Sequence, residues 1–132
     1  MQLSVTINQK PQDGQFSSII CGLRRIAQGP FPGAFILPVD MLSPGRNTWE
    51  ALRNALTVPA EVSIPSWKGK GGHPVLLSGE FIRRLLSLHG SPADSRLDEE
   101  IKKLPGNSVR YIETKDNNVI GNVNTPDDFL SL

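Results

Sequence analysis

The sequence is poor in cysteine, has almost no net charge and contains no long apolar run. Cys21 is the only cysteine in 132 residues. An intrachain disulfide is therefore excluded, which fits a reducing cytoplasmic compartment. The 14 basic and 13 acidic residues leave a net charge of +1, which argues against a nucleic-acid-binding surface and against a polybasic membrane patch. No apolar stretch reaches the length of a membrane span, and the first residues do not resemble a signal peptide. We therefore expect a cytoplasmic protein without nucleic-acid or membrane partners.

The composition that is present is typical of a folded globular protein. Hydrophobic residues make up 38% of the chain and charged residues 20%. A chain of 132 residues is long enough to bury the core of one domain. We therefore treat residues 1–132 as a single domain.

Strand and helix patterns alternate along the chain. Residues 3–7 alternate apolar and polar side chains as a half-buried strand does, whereas residues 16–26 repeat apolar side chains at helical spacing. Residues 34–37 are continuously apolar, which is typical of a parallel strand covered on both faces. Further strands are predicted at 62–64, 75–77, 109–112 and 119–120. Further helices are predicted after Asn47, which resembles the cap of a capping box with Glu50, after Ser78 with an end at Gly90, at 97–104 and after Thr125. This alternation predicts an α/β fold, a mixed sheet with helices on both faces.

Two short motifs carry polar residues that could take part in chemistry. Asp40 follows the apolar run 34–37, and ligands of open α/β sheets gather beyond the carboxyl ends of strands. A carboxylate there can hold Mg²⁺, although a surface aspartate that starts a loop is the plainer interpretation. Gly72-His73-Pro74 follows a glycine-rich turn that lacks the features of a phosphate-binding P-loop, so a solvated hairpin tip is the alternative for this motif.

A third motif, Thr125-Pro126-Asp127-Asp128, is explained by helix initiation. Threonine is a good N-cap, proline suits the first helical position, and acidic residues are favoured in the first turn. The motif is therefore assigned to structure rather than to chemistry.

In this order, the motifs resemble those of the MobA-like nucleotidyltransferases, which join a nucleoside monophosphate to a molybdenum-pterin cofactor. Asn8 and the run from Gly14 through Ser17-Ser18 to Gly22-Leu23 also resemble a family segment. The resemblance implies a three-layer Rossmann-like fold and a Mg²⁺ cofactor. It also implies Asp40 as catalytic and metal-binding residue, and a nucleotide or molybdopterin-type ligand bound by Ser17, Ser18, Gly72, His73 and Pro74. Plain N-capping by the serines is the alternative at the helix start.

The resemblance also implies features that this sequence lacks. The family's first two strands, and the glycine-rich loop with Arg and Lys that grips the triphosphate, have no counterpart before residues 3–7. Where the family reads Asp-x-Asp-Thr-Pro, the chain has Asn122-Val123-Asn124. Asn124 therefore stands as a weak metal ligand. These two departures predict a protein that is catalytically deficient by itself.

Three functions are compatible with this pattern. The first is a degenerate relative of the enzymes that transfer CMP or GMP from the nucleoside triphosphate to the cofactor. The second is a non-catalytic module for pterin or nucleotide binding or for protein assembly. The third is one half of a split transferase.

A sheet without the family's first two strands would expose strand edges. We expect residues 3–7 to pair directly with residues 34–37 through a crossover helix, in which Gly22 allows close packing on the sheet. Strand exchange in a homodimer, or a separately encoded protein partner, are the alternatives.

Overall fold

A computed structural model describes residues 3–88 and 96–132. Within these ranges, helices span Gln15–Ile26 (α1), Arg46–Ala55 (α2), Gly79–Leu86 (α3), Leu97–Lys102 (α4) and Pro126–Leu130 (α5). Strands span Gly33–Ile36 (β1), Val62–Trp67 (β2), Lys70–Gly71 (β3), Val75–Ser78 (β4) and Val109–Glu113 (β5). Short 3₁₀ turns span Pro11–Asp13, Gly106–Ser108 and Asn117–Ile120. None of the described helices is long and apolar enough to cross a membrane. The predicted helix end at Gly90 lies outside the described residues.

The sheet is mixed and is built around β2. On one side β2 pairs in parallel with β5, and on the other side it pairs antiparallel with β4 and with the short β3. β1 pairs antiparallel with β4 alone, so β1 is an edge strand of the described sheet, as are β5 and the short β3, which each pair only with β2. The prediction of a mixed α/β sheet is confirmed. The prediction that residues 34–37 form a parallel strand covered on both faces is wrong, because β1 is an antiparallel edge strand and Phe35 remains 36% exposed.

Helices cover both faces of the sheet. On one face, α1, α3 and α4 contribute Leu23, Ile82 and Ile101 to a core that includes Val62 and Leu77 of the sheet. On the other face, α2 packs against β2 and β5 and buries Leu52 completely. The helical spacing predicted for residues 16–26 is confirmed by α1. The three-layer arrangement therefore agrees with the fold class expected from the sequence.

The start of α2 is capped by a residue far away in sequence. The helix begins at Arg46 with Gly45 as N-cap, so the predicted capping by Asn47 is wrong. Gly45 donates its backbone N–H to Asp116 Oδ2 at 2.7 Å, across 71 positions of the chain. The hydroxyls of Thr48 and Thr114 are also within hydrogen-bond distance, at 3.2 Å. Asp116 thus accepts the N–H of the N-cap residue, the group that the side chain of the third helical residue accepts in a local capping box.

Two predicted strands do not form. Residues 3–7 have no regular secondary structure, and Leu3 and Val5 are each 83% exposed. The predicted pairing of this segment with β1 is therefore wrong. Residues 119–120 belong to a 3₁₀ turn that begins where Asp116 accepts the backbone N–H of Asn118, at 3.0 Å. An aspartate side chain that bonds two residues ahead favours a turn over a strand.

Two predicted helix starts are confirmed. Ser78 Oγ accepts the backbone N–H of Phe81 at 3.1 Å at the start of α3. At α5, Thr125 Oγ1 accepts from Asp128 N while Asp128 Oδ2 accepts from Thr125 N, which is a reciprocal capping box. The backbone N–H of Asn124 also donates to this carboxylate, and these hydrogen bonds hold the pKa of Asp128 below its usual range.

Candidate functional site

A cleft of about 980 Å³ opens on the face of the sheet that carries α1 and α4. Its size is in the range of small-molecule sites. Most of its lining is apolar and comes from three places: Phe16, Ile19 and Leu23 of α1, Ile36, Ile64 and Val75 of the sheet, and Leu97 and Ile101 of α4. Such walls can enclose the apolar faces of a flat, heterocyclic ligand.

Three of the residues predicted to bind substrate line this cleft: Ser18, Gly72 and His73. Ser18 lies in the first turn of α1, and its hydroxyl accepts from the side-chain amide of Asn8 at 3.1 Å. The same amide donates to Ser17 Oγ at 2.9 Å, while Ser17 Oγ donates to the Gly14 carbonyl at 2.6 Å. The N-cap of α1 is Gly14, so neither serine is the cap. The chain holds both hydroxyls in place through Asn8, and Ser18 is the one that faces the cleft.

Position 72 requires a glycine because the backbone of Val119 lies too close to leave room for a side chain. A Cβ built at this position would lie 2.0 Å from the carbonyl oxygen of Val119. The neighbouring His73 donates its backbone N–H to the same oxygen at 2.8 Å, and Gly72 donates to the Pro65 carbonyl at 2.8 Å. Pro74 is fully buried and does not line the cleft. The close backbone approach implied at Gly72 therefore exists, but it is an approach to Val119 rather than to a ligand.

His73 presents an imidazole to the cleft in a half-buried position. Burial lowers the pKa of His73, and the nearby carboxylate of Asp40 offsets this in part by raising it. The lowered pKa favours the neutral ring at pH 7, with one nitrogen that donates a hydrogen bond and one that accepts. Asp40, the predicted catalytic residue, follows two positions after Pro38, which lines the cleft.

Asp40 lies in the exposed turn that follows β1, and this turn is joined to the segment before α5. The backbone carbonyl of Asp40 accepts from Val123 N at 2.7 Å, and Met41 and Asn122 form an isolated antiparallel bridge. Asn124 follows directly, so the two predicted metal ligands belong to neighbouring, hydrogen-bonded segments. The described cleft lining includes neither Asp40 nor Asn124. Both residues therefore lie outside the cleft lining, although Asp40 is close enough to His73 to raise the pKa of its ring.

The donors available for a metal ion are few in this region. Within residues 3–88 and 96–132, no three side chains of His, Cys, Asp or Glu are grouped so that they could hold an ion. Asp40 offers one carboxylate and Asn124 one amide. Mg²⁺ prefers oxygen ligands and often uses only one or two carboxylates beside phosphate oxygens. The residues present therefore fit Mg²⁺ only in part, and a bound phosphate would have to supply further ligands.

The cations along the described cleft wall are already paired. Arg96 Nε lies 3.1 Å from Asp98 Oδ1, and Lys102 Nζ lies 3.1 Å from Glu99 Oε1. Both pairs are largely exposed, so each attracts an approaching anion only weakly. The sequence patterns do not indicate Arg96 and Lys102, because only the tertiary fold brings α4 and its N-cap to the cleft that α1 lines.

The packing predicted for Gly22 is wrong. This glycine was expected to pack closely on the sheet, but a Cβ built at Gly22 would meet no atom within 4 Å, and the residue lines the cleft. Its spacing from Ile19 and Ile26 on one helix face could have indicated this position. The glycine leaves part of the cleft open where a side chain would fill it.

Comparisons with known proteins show the family and a similar fold. Residues 1–104 match the family model of the MobA-like NTP transferase domain. The fold is similar to the crystal structure of the Mycobacterium tuberculosis rv0371c homolog from Mycobacterium sp. strain JC1, with a TM-score of 0.61 and 18% sequence identity over 85% of this chain and 55% of that one. A segment is 38% identical to human protein phosphatase 1E over 90 residues, which are 63% of this chain and 12% of the phosphatase.

The chain thus spans about half of the mycobacterial structure and a small part of the phosphatase. At 18% identity, the structural likeness supports the fold alone. The family match covers most of the chain and includes Ser18, Asp40 and His73. The chain belongs to the family of the MobA-like NTP transferase domain.

Proposed function

We propose that this chain binds a nucleotide or a molybdopterin-type small molecule in the cleft, and that by itself it is deficient in nucleotidyl transfer. The family reaction would be the Mg²⁺-dependent transfer of CMP or GMP from the triphosphate to a molybdenum-pterin cofactor. The observation that supports the proposal best is the pairing of the Asp40 turn with a segment that carries amides at Asn122 and Asn124.

The cleft suits the heterocyclic part of such a ligand. Flat rings can pack on its apolar walls, while the Ser18 hydroxyl and the neutral His73 imidazole offer hydrogen bonds at its rim. A protonated His73 would prefer an anion, but the neutral ring can recognise a base or a sugar.

The phosphate groups of such a ligand would be bound more weakly than its heterocyclic part. Mg²⁺ supplies neutralisation of the phosphate charge when it is bound. Asp40 and Asn124 would hold the ion with one negative charge where two carboxylates would provide two. The described cations of the cleft wall, Arg96 and Lys102, are engaged with carboxylates of their own helix. Binding without efficient transfer is the expected result.

Two substitutions at one glycine test the cleft. Gly22→Phe places a ring in the cleft, whereas the matched control Gly22→Ala adds only a methyl group in open space. Calorimetry with CTP, GTP and a pterin should show binding to the unmodified chain and to Gly22→Ala. Gly22→Phe should weaken it at least about tenfold, provided that thermal unfolding shows an intact fold. Failure of the unmodified chain to bind any of these ligands would contradict the proposal.

Restoring the second carboxylate tests the metal site. Asn124→Asp should raise the affinity for nucleotide in Mg²⁺ about tenfold, and it should leave the affinity in EDTA nearly unchanged. Asp40→Ala should remove the Mg²⁺ dependence. Nucleotidyl transfer by the unmodified chain that Asp40→Ala abolishes would show that the chain is catalytically competent and would overturn the proposed deficiency.

A further inference from the structure

One edge of the sheet is apolar and open. β1 pairs with β4 on one side only, and within residues 3–88 and 96–132 the backbone of residues 33–37 forms no hydrogen bond to any other segment. In an edge strand, alternate residues direct their N–H and C=O groups away from the sheet, where a further strand can add. Phe35 and Leu37 on this edge are each 36% exposed.

The edge strands of the sheet differ in how they are protected. β5 carries the charged residues Arg110 and Glu113, and the short β3 carries Lys70. Charged side chains on an edge strand are a common protection against pairing with another chain. β1 carries no charged residue between Gly33 and Leu37. The β1 edge is therefore the one on which a further strand can be accommodated.

The same chain carries an unused strand sequence. The segment 3–7 alternates Leu3, Val5 and Ile7 with small hydroxyl residues, has no charge, and would present one apolar face as a strand. These three side chains are exposed to 83%, 83% and 74%. Isolated exposed apolar residues are common, but three at strand spacing form a face that is suited to burial.

The segment is fixed at its end by α1. The carbonyl of Ile7 accepts a weak hydrogen bond from Cys21 Sγ at 3.7 Å, and Asn8 is held by Ser17 and Ser18. Before this anchor, residues 3–6 are exposed and have no regular secondary structure. Within its own copy the segment makes no strand pairing, and the β1 edge of that copy stays open.

We propose that two copies of this chain exchange residues 3–7, with each segment adding as a strand to the β1 edge of the other copy. Backbone hydrogen bonds would supply the pairing, and the Leu3, Val5 and Ile7 face would be buried against the partner copy. Because the donor segment and the acceptor edge belong to the same chain, a two-fold arrangement satisfies both copies at once and closes the assembly. The pairing also protects the uncharged edge from less specific association.

Two substitutions at Val5 separate backbone pairing from other effects. Val5→Pro removes the N–H and disfavours strand pairing, whereas the matched control Val5→Ile keeps the N–H, the β-branched shape and the apolar face. Neither should disturb the folded body, since Val5 is 83% exposed. Sedimentation velocity over a range of concentrations should show a dimer for the 132-residue chain and for Val5→Ile. Val5→Pro should raise the dimer dissociation constant at least about tenfold.

Amide hydrogen exchange identifies the edge that is covered. Outward-facing amides of residues 33–37 should be protected in the dimer, should stay protected in Val5→Ile and should lose protection in Val5→Pro. A dimer that Val5→Pro leaves intact uses another interface and overturns the proposal. A chain that stays monomeric at every concentration also overturns it. If the chain is a monomer and the β1 amides are protected, residues 3–7 pair with β1 of the same chain. If the chain is a monomer and these amides exchange freely, the β1 edge is uncovered and fits a different partner.

Discussion

Gly72→Ala should be among the most destabilising single methyl additions to this protein. The new Cβ would lie 2.0 Å from the Val119 carbonyl oxygen and 2.6 Å from its carbon, whereas ordinary contacts begin near 3.4 Å. Val119 is completely buried, so its backbone cannot retreat into solvent. The two segments must therefore separate by more than an ångström.

The cost of this separation has two parts. Overpacking a buried position costs about 1–3 kcal/mol. The separation also breaks the hydrogen bond from His73 N to the Val119 carbonyl, and a buried carbonyl left without its partner costs about 1–3 kcal/mol. Together they reduce the free energy of unfolding by about 4 kcal/mol, which is a large share of the total stability of about 5–15 kcal/mol expected for a domain.

Urea unfolding followed by circular dichroism measures this loss. The matched control is Gly106→Ala, because a Cβ at Gly106 meets no atom within 4 Å, and its effect should stay within about 0.5 kcal/mol. The midpoint of Gly72→Ala should fall strongly at an unchanged slope, which would locate the effect in the native state. A loss below about 1 kcal/mol would refute the close contact between the segments that carry Gly72 and Val119.

Three further predictions concern buried and capping groups. Ser63→Ala should raise the free energy of unfolding by up to about 1 kcal/mol in a thermal melt, because the buried Ser63 hydroxyl has no hydrogen-bond partner; a clear loss would reveal one. Asp116→Ala should lower it by about 1–2 kcal/mol in urea, since it leaves the N–H groups of Gly45 and Asn118 without their acceptor, and an unchanged midpoint would contradict this capping role. Burial lowers the pKa of His73 in the folded state, so the unfolded chain binds a proton first as the pH falls through 6.5. The contribution of His73 to the free energy of unfolding is therefore present above pH 6.5 and is lost below it. In His73→Gln, the free energy of unfolding should change less between pH 7.5 and about 5 than in the unmodified chain.

The sequence pattern correctly predicted the helices whose start or spacing depends on residues close together in the chain. The spacing of Phe16, Ile20 and Leu23 defines α1, and the hydroxyls of Ser78 and Thr125 begin α3 and α5 as expected. In each case the residues that form the element are also those that stabilise it, within one or two helical turns. The family resemblance predicted Ser18 and His73 as binding residues; the fold brings both to one cleft, and their role there stays a prediction.

Errors arose where a distant partner decides the structure. The run 34–37 is apolar enough for a central strand, but its place at an edge depends on pairing with β4 alone. The cap of α2 comes from Asp116 rather than from Asn47, and residues 3–7 have a strand pattern without a strand beside them. Alternation describes which faces a segment would present, but it does not identify a neighbour with free hydrogen-bonding groups.

The long-range cap of α2 has a consequence for the order in which the protein can assemble. During synthesis, α2 leaves the ribosome long before Asp116, so the hydrogen bond at its N-cap can form only after 71 further positions have been added. The central strand β2 likewise gains its parallel neighbour only when β5 arrives. Closing such distant contacts carries an entropic cost before any benefit appears, which is typical of slower folding. The carboxyl-terminal third of the chain thus completes structure that the first half begins.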